Sequence, residues 1–187
     1  MTLTLTSLLA TDEGDAGARP SLREVFDAHA PFVWRTLRYL GVGERDLEDV
    51  SQEVFLVVHQ KLATFEGRSS LETWIYGICI RTASTYRKRA YVRREVPVSE
   101  TPDTSVEPRQ LVELEEQRAR ARLQRALDAL DDEKREVFVL FEIEERPMQE
   151  IATIVGCPLR TAYSRLYAAR DEMAKTWERL ERGGERG

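Results

Sequence analysis

The chemistry available to this chain is that of binding, and it is concentrated in two runs of cations and aromatics. Arg160, Thr161, Tyr163, Ser164, Arg165, Tyr167 and Arg170 fall outside the apolar seam of an expected helix, and Leu159 to Arg170 holds no acid. Guanidinium, hydroxyl and phenol groups so placed reach phosphates or base edges in a DNA major groove. The second run, RTASTYRKRAYVRR, sets six cations and no acid into positions 81–94, with tyrosines interleaved. Aromatic faces stack bases while cations hold the backbone, which suits a single strand; a merely solvated basic helix is the plainer alternative. No Ser/His/Asp, Cys/His, metal-ligand or phosphate-loop constellation accompanies them. No catalytic residue, metal, cofactor or small-molecule substrate is therefore expected.

The first run needs an element to aim it, and PMQEIATIVGCPLRTAYSRLYAARDEM, from Pro147 to Met173, supplies one. Ile151, Ala152 and Val155 can form the apolar face of a short helix, and Gly156 suits a positive-φ turn. A second helix is expected from Pro158 or Leu159, since proline is pre-set for a first helical turn. Ala162, Leu166, Ala169 and Met173 then form its buried seam, and Ala152 is small enough for the two helices to cross closely. The pattern reads as a helix-turn-helix, against the alternative of an ordinary helical hairpin with a basic outer face.

Ahead of it the chain reads as helical throughout. Residues 1–20 are polar and small and are expected to be a disordered tail. Ser21 is a plausible N-cap for a helix carrying Leu22, Val25, Phe26, Val33 and Leu37, which Pro31 should kink or interrupt near Ala30. A second helix is expected from about Glu44 to Ala63. Its acids favour the positive end of the helix dipole, and Asp49, Gln52 and Glu53 also make a polar patch for a partner protein. A loop at Phe65–Ser70 follows, with Ser69 and Glu72 as a capping box for the third helix. In that helix Leu71, Trp74, Ile75 and Ile78 are expected to pack as core. Glu95 to Gln110, with three prolines and four acids, reads as a linker. Beyond it come a fourth helix through Leu111 to Leu130, and a fifth capped by Asp131 or Asp132 with Val137, Leu140 and Phe141 inward.

The fold class expected is all-α: two small helical domains, 21–95 and 111–182, joined by an acidic, proline-containing linker at 96–110, the second ending in the helix-turn-helix, with a tail at 183–187. Cys79 and Cys157 are far apart and form no C-x-x-C pair, and His29 and His59 have no ligand partner nearby, so structural roles are expected. No apolar run approaches the roughly 20 residues of a membrane span, and MTLTLTSLLA lacks the basic start of a signal peptide. A cytoplasmic protein is expected. The net charge of −5 conceals two basic patches on an otherwise acidic body, able to concentrate a polyanion at chosen places.

The order of these pieces resembles the extracytoplasmic-function sigma factors of the sigma-70 family of bacterial transcription initiation factors. Four blocks carry the resemblance: DVSQEVFLVVHQ at 49–60, FEGRSSLETWIYGI at 65–78, LDDEKREVFVLFEIEERPMQEIA at 130–152, and GCPLRTAYSRLYAARDEM at 156–173. It implies a protein that binds core RNA polymerase, through the beta-prime clamp helices and the beta flap, and directs it to promoter DNA. Asp49, Gln52, Glu53 and Phe55 resemble the clamp-docking surface. The loop bearing Phe65, Arg68, Ser69 and Ser70 resembles the pocket for a base flipped from the minus-10 element, and Arg81, Thr85, Arg87 and Lys88 the adjoining reader. Arg160, Thr161, Tyr163, Ser164, Arg165 and Tyr167 match the stretch that enters the minus-35 major groove. An anti-sigma protein partner is also implied.

Two positions depart from the family pattern. Members often carry Asn where this chain has Arg81, and Val-Gly-Thr-Val-Lys where it has Leu159 to Tyr163, so base preferences do not carry over. Two rivals remain: a helix-turn-helix regulator without sigma activity, which gives no purpose to FEGRSSLETW, and an adaptor or sigma-sequestering protein whose helices engage protein alone.

Overall fold

A computed structural model describes residues 20–94 and 111–184; most of the expected tails and the linker lie outside the described residues. Among the described residues every regular element is a helix, so the all-α expectation holds. They divide into two compact units, the first built mainly from residues up to Tyr86 and the second mainly from Arg87 onward.

In the first unit, α1 (Leu22–Tyr39) opens on Ser21, whose Oγ accepts the Glu24 N–H while the Glu24 carboxylate accepts the Ser21 N–H. This reciprocal cap satisfies two donors that the helix start leaves unpaired. Pro31 does not interrupt the helix. Its ring is on the exposed side, where a freed carbonyl meets water, while Val25, Phe32 and Val33 on the other side are held in the core across the proline. The helix ends on Gly41 at φ 88, with Val42 N–H donating to Leu37 O and Gly41 N–H to Arg38 O. That pair of hydrogen bonds is the Schellman stop, and it turns the chain into a short 3-10 turn, Glu44–Asp46.

Helix α2 (Leu47–Leu62) buries Val50, Val54, Phe55 and Val58. Helix α3 (Leu71–Arg94) buries Ile75, Tyr76, Ile78, Cys79 and Ile80. Aromatic pairs link the core: Phe26 with Phe55 at 4.8 Å and Phe32 with Tyr76 at 5.7 Å. The cap of α3 is Ser70 and not Ser69: Ser70 Oγ accepts the Thr73 N–H at 3.1 Å and lies 2.6 Å from the Thr73 hydroxyl. Both serines offer a hydroxyl, but Ser70 is the one immediately before Leu71, three residues from a Thr73 able to reach back.

The second unit contains α4 (Leu111–Asp128), α5 (Asp132–Phe138), a π turn at Val139–Ile143, α6 (Met148–Val155) and α7 (Leu159–Gly184). Asp131 caps α5 by accepting the Lys134 N–H. The π turn holds one residue more than an α turn, so Val139 and Leu140 are both buried while Phe141 turns to the edge of the core. Phe141 was expected inward. Leu127, Leu130, Val137, Leu140, Ile151, Leu166 and Ala169 form the centre. Arg135 is buried among them, donating to Leu130 O at 3.4 Å and standing 3.6 Å from Asp128.

Candidate nucleic-acid interface

The helix-turn-helix is built as its residue types dictate. Gly156 sits at φ 68, and Cys157 N–H donates back to Ala152 O at 3.0 Å, closing α6. Pro158 O accepts the N–H groups of Thr161 and Ala162, which starts α7 at Leu159. Ala162, Leu166, Ala169 and Met173 are buried on one side.

The other side carries the expected contact residues. Arg160, Tyr163, Ser164 and Tyr167 are exposed, and Thr161 and Arg165 are half-buried. Ser164 Oγ donates to Arg160 O, so that hydroxyl faces its own helix. Arg165 pairs with Glu133 at 2.7 Å. The rings of Tyr163 and Tyr167 lie 6.5 Å apart at 23°, and Arg170 reaches over Tyr167 and Phe141 while bonded to Glu142 at 2.6 Å.

In the first unit the loop before α3 exposes Arg68, Ser69 and Ser70 around Gly67, which takes φ 69. Arg68 pairs with Glu66 on the surface. Phe65 is half-buried, its ring 5.2 Å from Trp74, itself half-buried instead of wholly in the core. Along α3, Arg81, Thr85 and Lys88 are exposed. The Arg81 guanidinium folds back to within 3.5 Å of where a side chain on Gly77 would begin, so the missing Cβ leaves it room. Arg87 belongs by packing to the second unit, where it meets Asp132 at 2.7 Å and Glu136 at 3.5 Å and is largely covered. Burial pushes the Glu136 carboxyl up to about 7, against the opposing pull of Arg87.

On α2, Asp49 and Glu53 are exposed and Gln52 half-buried. Phe55 is not on that face: it is fully buried against Phe26, because a step of two residues from Glu53 crosses to the opposite side of a helix. It can support a docking helix but cannot touch what docks. Sequence reasoning missed a further tie, in which the Tyr86 hydroxyl donates to Asp46 at 2.6 Å and receives the Gly43 N–H at 3.4 Å. Nor did it find Glu133 and Glu142, since acids in an acid-rich stretch carry no mark of which arginine they will meet.

Comparison with known proteins follows this geometry. Residues 25–92 match the sigma-70 region 2 family and residues 120–173 the sigma-70 region 4 family. The chain is 31% identical over 147 residues to the ECF RNA polymerase sigma-E factor of Escherichia coli strain K12, covering 72% of this chain and 74% of that one. It is 30% identical over 164 residues to the ECF RNA polymerase sigma factor SigE of Mycolicibacterium smegmatis, covering 86% of this chain and 63% of the longer relative. In fold it resembles the sigma factor RpoE of Bartonella quintana, solved with the anti-sigma factor NepR, at a TM-score of 0.65 and 22% identity, over 83% of this chain and 96% of that one. It also resembles CnrH, solved with the cytosolic domain of CnrY, at 0.61 and 22%, over 84% and 87%.

Proposed function

Because the chain belongs to the extracytoplasmic-function group of sigma-70 factors, we propose that it binds core RNA polymerase, recognises a promoter at two elements and helps to open the duplex between them. The reading is of a transcription initiation factor and not an enzyme: it contributes binding energy, and the polymerase performs the phosphoryl transfer. Asp49, Gln52 and Glu53 dock on the beta-prime clamp helices, with Phe55 stiffening the helix from beneath, and the second unit meets the beta flap. Phe65, Arg68, Ser69 and Ser70 form the pocket for a flipped minus-10 base, with Arg81, Thr85 and Lys88 along the adjoining strand, while Arg87, covered and held by Asp132 and Glu136, is removed from that set. Flipping costs a few kcal/mol, which stacking and polar contacts at that loop offset. Arg160, Thr161, Tyr163, Ser164, Arg165 and Tyr167 hold the minus-35 duplex. An anti-sigma protein covers these faces when the factor is idle.

What carries the reading is one observation: a chain with both sigma-70 regions exposes an acid-free stretch, Leu159 to Arg170, at the start of α7 in one and the FEGRSS loop in the other. Run-off transcription with purified core polymerase tests it. Addition of this protein is expected to start transcripts at discrete sites on a genomic template, and a core enzyme that starts none overturns the proposal.

A further inference from the structure

Among the described residues four large apolar side chains are exposed, and three of them sit four residues apart on the first turns of α7: Leu159 at 40%, Tyr163 at 38% and Tyr167 at 61%. An apolar stripe concentrated on a functional helix marks what that helix touches. Its surroundings identify the occupant. Leu159 to Arg170 has no acid and follows the turn of a helix-turn-helix, so the stripe is suited to a polyanion's groove and not to a basic or wholly apolar partner.

Within that groove two chemistries compete. Guanine is read by a guanidinium that bonds O6 and N7, whereas the C5 methyl of thymine is read by apolar contact. Here Arg165 is held by Glu133 and Arg170 by Glu142, leaving Arg160 as the exposed arginine of the reading turns with no ion pair among the described residues. The two phenol rings, nearly parallel and open to solvent, offer apolar faces instead.

We infer that the upstream promoter element is read at one or two positions through thymine C5 methyls packed against Tyr163 and Tyr167. The inference rests on the sigma reading above and adds to it the base chemistry that this chain selects. The phenol hydroxyls serve phosphates or water, so the rings and not the hydroxyls carry the preference.

The test uses holoenzyme assembled from core polymerase and the full chain. Promoter duplexes are first selected from a library randomised across the upstream element, and the winning duplex is then made with deoxyuridine replacing each thymidine in turn, which removes a methyl and nothing else. Binding is expected to weaken about three- to fivefold at each contacted position, as loss of one buried methyl implies. Tyr163→Ala with Tyr167→Ala abolishes the distinction between thymine and uracil, while Tyr163→Phe with Tyr167→Phe keeps it. A selected element that lacks thymine, or one bound equally well with uracil throughout, overturns the inference while leaving the sigma reading standing. A library that returns no preferred upstream sequence also overturns the inference, and the run-off assay reports separately whether the sigma reading stands.

Discussion

Asp49 and Phe55 share a helix and were grouped by the family resemblance, yet only one of them has a surface to act through. Phe55→Ala removes a ring from the centre of the first unit and is expected to cost about 3–5 kcal/mol in chemical denaturation. Asp49→Ala, on the exposed face, costs less than about 1 kcal/mol, through the helix dipole, and lowers affinity for core polymerase. The two outcomes exchanged would place the docking face on the wrong side of α2. The helical period already separated these residues in the sequence; the resemblance grouped them, because a family motif records which residues occur together and not which way each points. Trp74 teaches the converse. Its type suggested core, but its neighbour in space, Phe65, belongs to the loop. Trp74→Ala is expected to cost about 1–2 kcal/mol, less than loss of a fully buried tryptophan, and to release the Phe65 loop. Duplex opening, followed by permanganate reactivity of unpaired thymines, falls by more than stability does.

At the scale of elements, what the sequence made legible is what local chemistry decides. Ser21, Asp131, Gly156 and Pro158 each act where their backbone and hydrogen-bonding preferences require. Gly156→Ala tests one of them. An added Cβ would meet nothing within 4 Å, so the whole cost is the left-handed backbone, about 1–2 kcal/mol, read as a lowered midpoint of thermal unfolding. The π turn was illegible because its register is fixed by packing, not by propensity, and so was the environment of Glu136. That carboxyl titrates near 4.5 when unfolded and is pushed up to about 7 by burial in the folded chain. Between those values the folded state holds a proton that the unfolded state has lost, so this group's contribution to stability declines as pH rises through the window. Denaturation at pH 5 and at pH 8 is expected to differ on this account by about 1–3 kcal/mol, with the lower pH more stable, and Glu136→Gln flattens that difference.

For the whole molecule, the charge pattern sets how binding answers to salt. A chain of net charge −5 that meets DNA through concentrated cations loses affinity steeply as salt rises. In holoenzyme titrations Arg160→Ala is expected to reduce the slope of log affinity against log salt by about 1, if its guanidinium meets a phosphate. An unchanged slope with altered sequence preference would assign it to a base instead. The tie between Tyr86 and Asp46 reaches beyond its own two residues, because one hydroxyl joins the entrance of α2 to α3. On the proposed function, grip on polymerase through α2 and strain on DNA along α3 would load the same small girder. Tyr86→Phe saws through that strut while keeping the ring. Faster amide exchange at Gly43 to Leu47, with the remainder of the bundle undisturbed, is the signature to seek.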